Sequence, residues 1–270
     1  MKTFARIASV ALSLSALALV AALPSACSDD GGTTGKRVAL DVRVTGSPEA
    51  KAPFTNAQGW TVTLSKALVA TGAMYFYDGE TLLSERAPSP ARRLWRALAV
   101  REALAHPGHY VPGNAKGEML AASSADLLKE NALGAGQGIS GLVRSATFSY
   151  QAPAQGPFAA ELGGSVAVLE GTATKGAEAR AFRIEVGAAD VAATNGKTEI
   201  VGCPFLEADV KGDGTVTATV KVEAWLDQVD FTGVPAATTP VPLAEGTLPR
   251  NQLVRGMKAA LPYVFSYAAR

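Results

Sequence analysis

The sequence predicts a mainly β fold: a single antiparallel β-sandwich-like domain over residues 37–270, with one or two short helices. Three observations favour this fold class. Apolar and polar residues alternate over many short stretches, which is typical of strands with one buried and one solvent-facing side. Glycine and proline interrupt the chain at short intervals, as they do between the strands of a sandwich. No composition break marks a linker after residue 36, so the pattern indicates one domain.

The alternating pattern also indicates where the strands lie. In VALDVRV (residues 38–44) the apolar side chains share one face and the charged ones the other. WTVTL, FRIEV and TVTATVKV repeat the pattern. Asp213-Gly214 is a strong hairpin signal, which predicts that a strand over residues 207–210 pairs with one starting at Val216. Further strands are predicted over residues 67–77, 117–122, 142–150 and 166–171, and at YVFSY near the C-terminus.

Two segments have helical patterns instead. In SPARRLWRALAVREALA, Ser89 is a candidate N-cap, Pro90 stands at the first helical position, and no breaker follows until Pro107. The apolar side chains of this helix would face the domain and its arginines the solvent. A second short helix is predicted over residues 251–260.

The N-terminus has the pattern of an export signal. Lys2 and Arg6 precede an uncharged apolar run, residues 7–23, and small residues follow up to Cys27. LPSAC resembles the lipobox of bacterial lipoproteins, whose cysteine becomes acylated. We therefore predict a signal peptide over residues 1–26, a lipidated Cys27 and a flexible tether over residues 27–36. Such a protein is held on a lipid bilayer in the cell envelope, at the outer membrane facing the periplasm or at the cell surface.

Two alternatives stay open at this end of the chain. Cleavage after Ala22 or Ala26 without acylation would leave a soluble exported protein, and a Cys27–Cys203 disulfide could then form. With Cys27 acylated, Cys203 is expected to be a buried apolar residue. The formal net charge is +1, without the basic footprint of nucleic-acid-binding proteins, so no nucleic-acid partner is predicted.

Motifs of catalysis are sparse. GQGISG (residues 136–141) matches G-x-G-x-x-G, but the following LVRSATFSY is strand-like where a nucleotide site needs a helix, so we expect a flexible Gly-rich loop. No G-x-S-x-G occurs. Asp227 and Asp230 in WLDQVDF fit a structural turn as well as an acid/base pair. The sequence predicts no catalytic residues and no enzymatic activity, with a hydrolase as the third-ranked alternative.

Both histidines of the chain lie in AHPGHY, residues 105–110. Pro-Gly at the centre predicts a type II turn, whose end Cα atoms approach within ~7 Å, so His106 and His109 could hold one ion. Imidazole suits copper, zinc or nickel, but two ligands do not complete a site. The candidates for a third ligand are Glu118, Met119, Asp126 and Tyr110. The alternative is an ordinary turn after a helix.

Several stretches together resemble the MbnP-like family of exported copper-associated proteins. They are GWTVTLSKALVATGAMYFYDG (residues 59–79), HPGHY, GISGLVRSATFSY and KVEAWLDQVDF (residues 221–231). The resemblance implies a β-sandwich-like exported domain, mononuclear copper held partly by histidine, and a di-haem c-type partner protein. In some members of that family a tryptophan near the metal is oxidised. The resemblance does not show which of Trp60, Trp95 and Trp225 would correspond to it.

Two functional hypotheses follow from these observations. The first is a membrane-anchored lipoprotein that binds copper through the His106/His109 turn. The second is a non-metal structural or interaction lipoprotein of the cell envelope, in which AHPGHY is only a turn.

Overall fold

A computed structural model describes residues 35–81 and 110–270 of the chain. Within these ranges the strands are β1 (Arg37–Gly46), β2 (Phe54–Thr55), β3 (Thr61–Thr71), β4 (Met74–Tyr77), β5 (Ala115–Met119), β6 (Ser123–Asp126), β7 (Asn131–Ile139), β8 (Gly141–Ser149), β9 (Ser165–Lys175), β10 (Glu178–Gly187), β11 (Glu199–Val210), β12 (Gly214–Val220), β13 (Val241–Pro242) and β14 (Tyr263–Ala269). The helices are a 3-10 turn (Glu49–Lys51), α1 (Ala159–Leu162), α2 (Ala188–Val191), α3 (Val222–Leu226) and α4 (Leu248–Met257).

The strands form two sheets, one of which closes on itself. The closed barrel has the order β1-β12-β14-β11-β8-β4-β5-β7, and the second sheet has the order β13-β10-β9-β3-β2, with β6 also paired to β3. Within the barrel, β1 runs parallel to β12 and β11 parallel to β14, while the other neighbours are antiparallel. The mainly β prediction is confirmed. The antiparallel sandwich is wrong, because one sheet pairs its two edges with each other and so leaves no open edge.

One continuous core joins the two sheets. In the barrel, the ring of Phe76 lies 5.9 Å from that of Phe205 and 6.0 Å from that of Phe265. Against the second sheet, Trp60 meets Phe231 edge-on at 5.9 Å. All five side chains belong to the same cluster of buried residues. The alternation seen in the sequence therefore supplies inward-facing side chains to both sheets.

The hairpin predicted at Asp213-Gly214 is wrong. The chain turns there between β11 and β12, but β14 lies between these two strands in the barrel. The side-chain carboxylate of Asp213 accepts a hydrogen bond from Ala39 N of β1 at 2.8 Å. The backbone carbonyl of Asp213 accepts one from Arg270 N at 3.1 Å. The turn is thus bonded to β1 and to the end of the chain. Turn chemistry is local, whereas the choice of strand partner is made by these distant contacts.

One predicted strand is divided between the sheets, and another ends earlier than predicted. Residues 67–77 form β3 in the second sheet and β4 in the barrel, with Gly72 N bonded to Ser149 O at 2.8 Å where the chain crosses. The strand predicted over residues 117–122 ends at Met119, and β6 follows in the second sheet. Alternation marks a buried face, but it does not show which of two sheets the face belongs to.

GQGISG is not a loop. Gly136 and Gly138 lie inside β7, and Gly141 begins β8. A Cβ added to Gly136 or Gly138 would lie 2.7 Å from a backbone oxygen of β5 in each case. Glycine at alternate positions therefore permits a close approach of two barrel strands, and the motif has a structural explanation.

The predicted C-terminal helix is confirmed as α4, although it begins at Leu248, with Pro249 in its first turn. The short helices α1 to α3 were not predicted, because four or five residues are too few to show a helical period. The predicted Arg-rich helix of residues 89–105, the signal peptide and Cys27 lie outside the described residues. Among the described helices, none has the length and apolar character that a membrane crossing requires.

Candidate functional site

The predicted copper ligands His106 and His109 lie outside the described residues. Within residues 35–81 and 110–270, no three His, Cys, Asp or Glu side chains are grouped so that they could hold a metal ion. The copper prediction therefore stays a prediction. Both histidines lie in the connection that joins β4 to β5, and the structure describes the residues at the two ends of this connection.

Residues at the two ends of this connection are bonded to each other. Gly79 N donates to Pro112 O at 2.9 Å. The Asp78 carboxylate accepts hydrogen bonds from Asn114 N at 2.7 Å and Asn114 Nδ2 at 3.1 Å, and Lys116 Nζ lies 3.5 Å from it. Burial raises the pKa of Asp78, but the Asn114 hydrogen bonds and the Lys116 charge outweigh burial and hold that pKa below its usual value. The two ends of the connection are thus bonded to each other where they meet the barrel. We call these contacts the base of the connection.

Tyr110, the residue after His109, packs against the barrel wall. Its hydroxyl lies 2.6 Å from Ser145 Oγ, which itself donates to Gly79 O at 2.6 Å. Because the serine proton is used on the carbonyl, the phenol must donate to the serine. The Tyr110 ring packs on Gly202, which has φ +75° and where an added Cβ would lie 3.3 Å from Tyr110 Cγ. Burial raises the pKa of Tyr110, so the phenolate form that binds metals is disfavoured.

The other candidates for a third ligand differ in accessibility. Met119 is 1% exposed in the core, opposite Met74 in the β4–β5 pairing. Asp126 accepts a hydrogen bond from Leu128 N at 3.1 Å and its strand pairs with β3, in the second sheet. Glu118 is partly exposed, and its carboxylate accepts a hydrogen bond from Gln137 Nε2 at 3.0 Å. Of the four, Glu118 is the one whose oxygens remain accessible from the barrel surface.

A surface pocket of about 410 Å³ lies beside Tyr110. We call it the tyrosine pocket. The rings of Tyr75 and Tyr77 have centroids 6.5 Å apart and planes inclined by 36°. Lys197 Nζ lies 3.6 Å from Glu199 Oε2. Among the described residues, those that line it are Tyr75, Tyr77, Tyr110, Pro112, Thr147, Lys197, Glu199 and Val201.

Strand register connects Glu118 to this pocket. Tyr75 is the cross-strand partner of Glu118 on one side and of Thr147 on the other, and Thr147 pairs with Val201. Directly opposite residues share a face, with Cβ atoms ~5 Å apart. Glu118 is therefore one strand away from the tyrosine pocket on the same outer face. It also borders a second groove of about 550 Å³, whose lining includes Arg37, Lys116, Glu118 and Gln137.

Sequence reasoning did not find the tyrosine pocket. A signal was present in MYFY, where Tyr75 and Tyr77 alternate with buried side chains and so face outward. Glu199 begins β11, Lys197 lies two residues before it, and neither belongs to a motif. Their proximity to the tyrosines depends on the β8–β11 pairing.

Other residues singled out from the sequence have structural surroundings. Cys203 is fully buried, as predicted, and its thiol donates to Ile200 O at 3.1 Å; burial raises its pKa to about 12. Asp230 accepts hydrogen bonds from Trp60 Nε1 at 3.2 Å and from Thr232 N at 3.0 Å. These contacts are those of the structural turn proposed for WLDQVDF. Trp60 and Trp225 do not line the tyrosine pocket, and Trp95 lies outside the described residues.

No protein-family model, curated protein or solved structure matches this chain. The resemblance to the MbnP-like family stays an expectation from the sequence.

Proposed function

We propose that this protein is a lipid-anchored lipoprotein of the bacterial cell envelope whose β domain binds copper through His106 and His109. The observation that supports the proposal is the position of Tyr110. The residue that directly follows His109 is bonded to Ser145 of the barrel at 2.6 Å. The chain is thus tied to a rigid scaffold one residue after the second histidine, and loops tied to rigid scaffolds commonly carry binding residues.

One of the candidates for a third copper ligand fits that role better than the others. Tyr110 is committed as a donor to Ser145 and Met119 is buried, so neither suits as a third ligand. Among the candidates, Glu118 is the one with a partly exposed carboxylate on the outer face of the barrel. Two imidazoles and a carboxylate form the nitrogen and oxygen donor set that Cu(II) accepts. We therefore propose His106, His109 and Glu118 as the ligands.

The remaining parts of the proposal come from the sequence. An acylated Cys27 and the polar tether after it would hold the domain on a bilayer, because acyl chains add ~0.8 kcal/mol of membrane binding for each buried CH₂. The MbnP-like resemblance adds a di-haem c-type protein as the proposed partner. We propose no catalytic residue.

The copper site is tested by elemental analysis of the full-length protein purified from membranes of copper-supplied cells. We expect about one copper per chain, lost in the His106→Ala/His109→Ala double variant. Loss of the Glu118 ligand in Glu118→Gln should weaken copper binding by about tenfold or more. Glu130→Gln, which changes an exposed carboxylate that pairs with Arg43 of β1, is the matched control. Wild-type protein without copper would reject the proposal.

The same preparation tests the lipid anchor. The mature chain should begin at an acylated Cys27 by mass spectrometry, and Cys27→Ser should move the protein from the membrane to the soluble fraction. A mature chain that begins at Leu23, or at an unmodified Cys27, would show that the anchor is wrong without affecting the copper result.

A non-metal interaction protein is the second candidate. Val111 is 72% and Val201 52% exposed, and Val201 lines the tyrosine pocket. Exposed apolar side chains beside aromatic ones are typical of binding surfaces. An acylated protein that lacks copper would favour this candidate.

A further inference from the structure

We propose that the tyrosine pocket binds a trimethylammonium group next to an anionic group, as in phosphocholine. This proposal does not depend on copper. It rests on the spacing of the tyrosine rings, the fixed position of Tyr110 and the charges at the pocket rim.

The spacing of Tyr75 and Tyr77 suits one cation. A cation is attracted to the face of an aromatic ring when it lies within about 6 Å of the ring centroid. Since the two centroids are 6.5 Å apart, a single cation can lie within that distance of both. The 36° inclination of the rings makes a shallow V rather than the flat platform on which a planar ligand would stack.

Tyr110 contributes a third ring whose position is already set. Its hydroxyl is bonded to Ser145 and its ring rests on Gly202. Little conformational freedom is left for this side chain to lose when a ligand binds. Tyr110 lines the pocket while its hydroxyl is bonded to Ser145, so the ring is the part of this side chain that is left to contact a ligand. A trimethylammonium group needs such faces, because it has no N–H to donate.

The charges at the rim indicate a dipolar ligand. Glu199 supplies a carboxylate that attracts the cation, while Lys197, 3.6 Å from it, supplies an ammonium. A bare cation would be attracted by one and repelled by the other. A ligand that carries a phosphate near its ammonium meets both with the opposite charge. The pocket volume of about 410 Å³ is within the range of small-molecule sites.

Isothermal titration calorimetry of the mature protein with phosphocholine, choline and 3,3-dimethylbutan-1-ol tests the proposal. The last compound has the shape of choline without its charge. We expect phosphocholine to bind more tightly than choline, because only phosphocholine meets both rim charges, and the neutral compound to bind about tenfold more weakly than choline, the loss of a cation–π contribution. Equal binding of choline and its neutral analogue, or no binding of either charged compound, would overturn the proposal.

Substitutions in the pocket assign the binding to these residues. Tyr75→Leu and Glu199→Gln should each weaken phosphocholine binding about threefold to tenfold. Tyr267→Leu, at a tyrosine whose hydroxyl bonds Gly212 O, and Glu178→Gln are the matched controls and should bind as the wild type does. Lys197→Gln should tighten binding of choline and weaken binding of phosphocholine. These opposite changes are not expected from a loss of folding.

Thermal unfolding shows whether each variant is folded. If Tyr75→Leu is not folded, the affinities of Glu199→Gln and Lys197→Gln test the proposal. Unchanged affinities in both Glu199→Gln and Lys197→Gln would overturn the proposal. The His106→Ala/His109→Ala double variant should retain wild-type phosphocholine affinity, so failure of the copper proposal is recognised separately.

The trimethylammonium group could belong to a free solute or to a lipid headgroup. Flotation of the Cys27→Ser variant with phosphatidylcholine or phosphatidylglycerol vesicles distinguishes the two sources. Flotation with phosphatidylcholine that Tyr75→Leu abolishes would identify the headgroup. Binding of soluble phosphocholine without flotation would identify a free solute.

Discussion

Three titratable side chains around the β4–β5 connection differ because their surroundings differ. The pKa of Asp78 is lowered by hydrogen bonds from Asn114 and by the Lys116 charge. The pKa of Tyr110 is raised by burial, and that of Cys203 is raised by burial to about 12. At neutral pH only Asp78 carries a charge. That charge secures the base of the connection, while Tyr110 acts as a neutral donor.

Asp78 should make folding stability depend on pH. Its folded-state pKa lies below the usual 3.8, so its stabilisation is fully present above the unfolded pKa and is lost as pH falls through the folded one. The free energy of unfolding of the wild type should exceed that of Asp78→Asn by a constant amount above about pH 5, and the excess should shrink below pH ~4. Urea unfolding between pH 3 and 7 measures this.

Asp209→Asn is the control for this experiment, because Asp209 is an exposed carboxylate whose lysine partner is also exposed. The difference between wild type and this control should be small at every pH. A difference in unfolding free energy between wild type and Asp78→Asn that stayed the same at every pH would contradict this prediction. The charge of the Asp78 carboxylate would then not stabilise the fold.

At the scale of elements, β7 shows how a motif can mislead. The glycines of GQGISG allow β7 to approach β5 within van der Waals distance, and they sit in a strand rather than at the N-terminus of a helix. The match to a nucleotide-binding pattern arises because glycine at every second position is also what a crowded barrel wall requires.

Gly136→Ala tests this interpretation. The added Cβ would lie 2.7 Å from Glu118 O, so β5 or β7 must shift, and we expect a loss of about 1–3 kcal/mol in the free energy of unfolding. Gly164→Ala, where an added Cβ meets no atom within 4 Å, should change that free energy by less than ~0.5 kcal/mol. Chemical denaturation measures both. Equal losses for the two substitutions would mean that there is room for a side chain at position 136 between β5 and β7.

The success of the sequence predictions differed among elements for a physical reason. Strands with strict alternation, such as β1 and β12, were found close to their true bounds, whereas β10 was predicted only in its second half. The predicted strand over residues 67–77 was not, because its inward face serves the second sheet up to Thr71 and the barrel from Met74. Both halves satisfy the same period of two, so the crossing leaves no mark in the pattern.

At the scale of the whole molecule, α4 connects the two sheets. The chain enters it after β13 of the second sheet and leaves it toward β14 of the barrel. Arg250 of α4 is 5% exposed. It forms a bidentate pair with Asp190 at 3.0 and 2.7 Å and donates to Glu185 O of β10 at 3.1 Å. This side chain therefore holds the crossing segment against the second sheet.

Arg250→Met should lower the free energy of unfolding by about 3 kcal/mol, because it removes the cationic partner of the partly buried Asp190. Arg43→Met is the matched control, since the Arg43–Glu130 pair is exposed on both sides and should contribute ~1 kcal/mol or less. Urea denaturation at neutral pH compares them. A loss at position 250 no larger than that at position 43 would contradict a structural role for the buried pair.

The candidate site was less predictable than the fold. His106, His109 and Cys27 could be singled out because rare residue types at particular places in a sequence carry chemical meaning. Glu118 and Tyr110 could be named but not ranked, since their hydrogen bonds to Gln137 and Ser145 decide which of them has a free oxygen. Lys197 and Glu199 could not be named at all, because residues of a distant strand bring no local pattern to the pocket they join.

The sequence by itself determined that this is a mainly β protein with an export-signal pattern, because alternation and an apolar N-terminal run are local properties of the chain. Only the tertiary structure decided that the strands close into a barrel beside a second sheet, that β14 separates β11 from β12, and that three tyrosines meet an ion pair at one surface. Each of these depends on pairings between strands far apart in the chain. Side-chain periodicity indicates that a strand has a buried face, but it carries no information about which strand lies next to it.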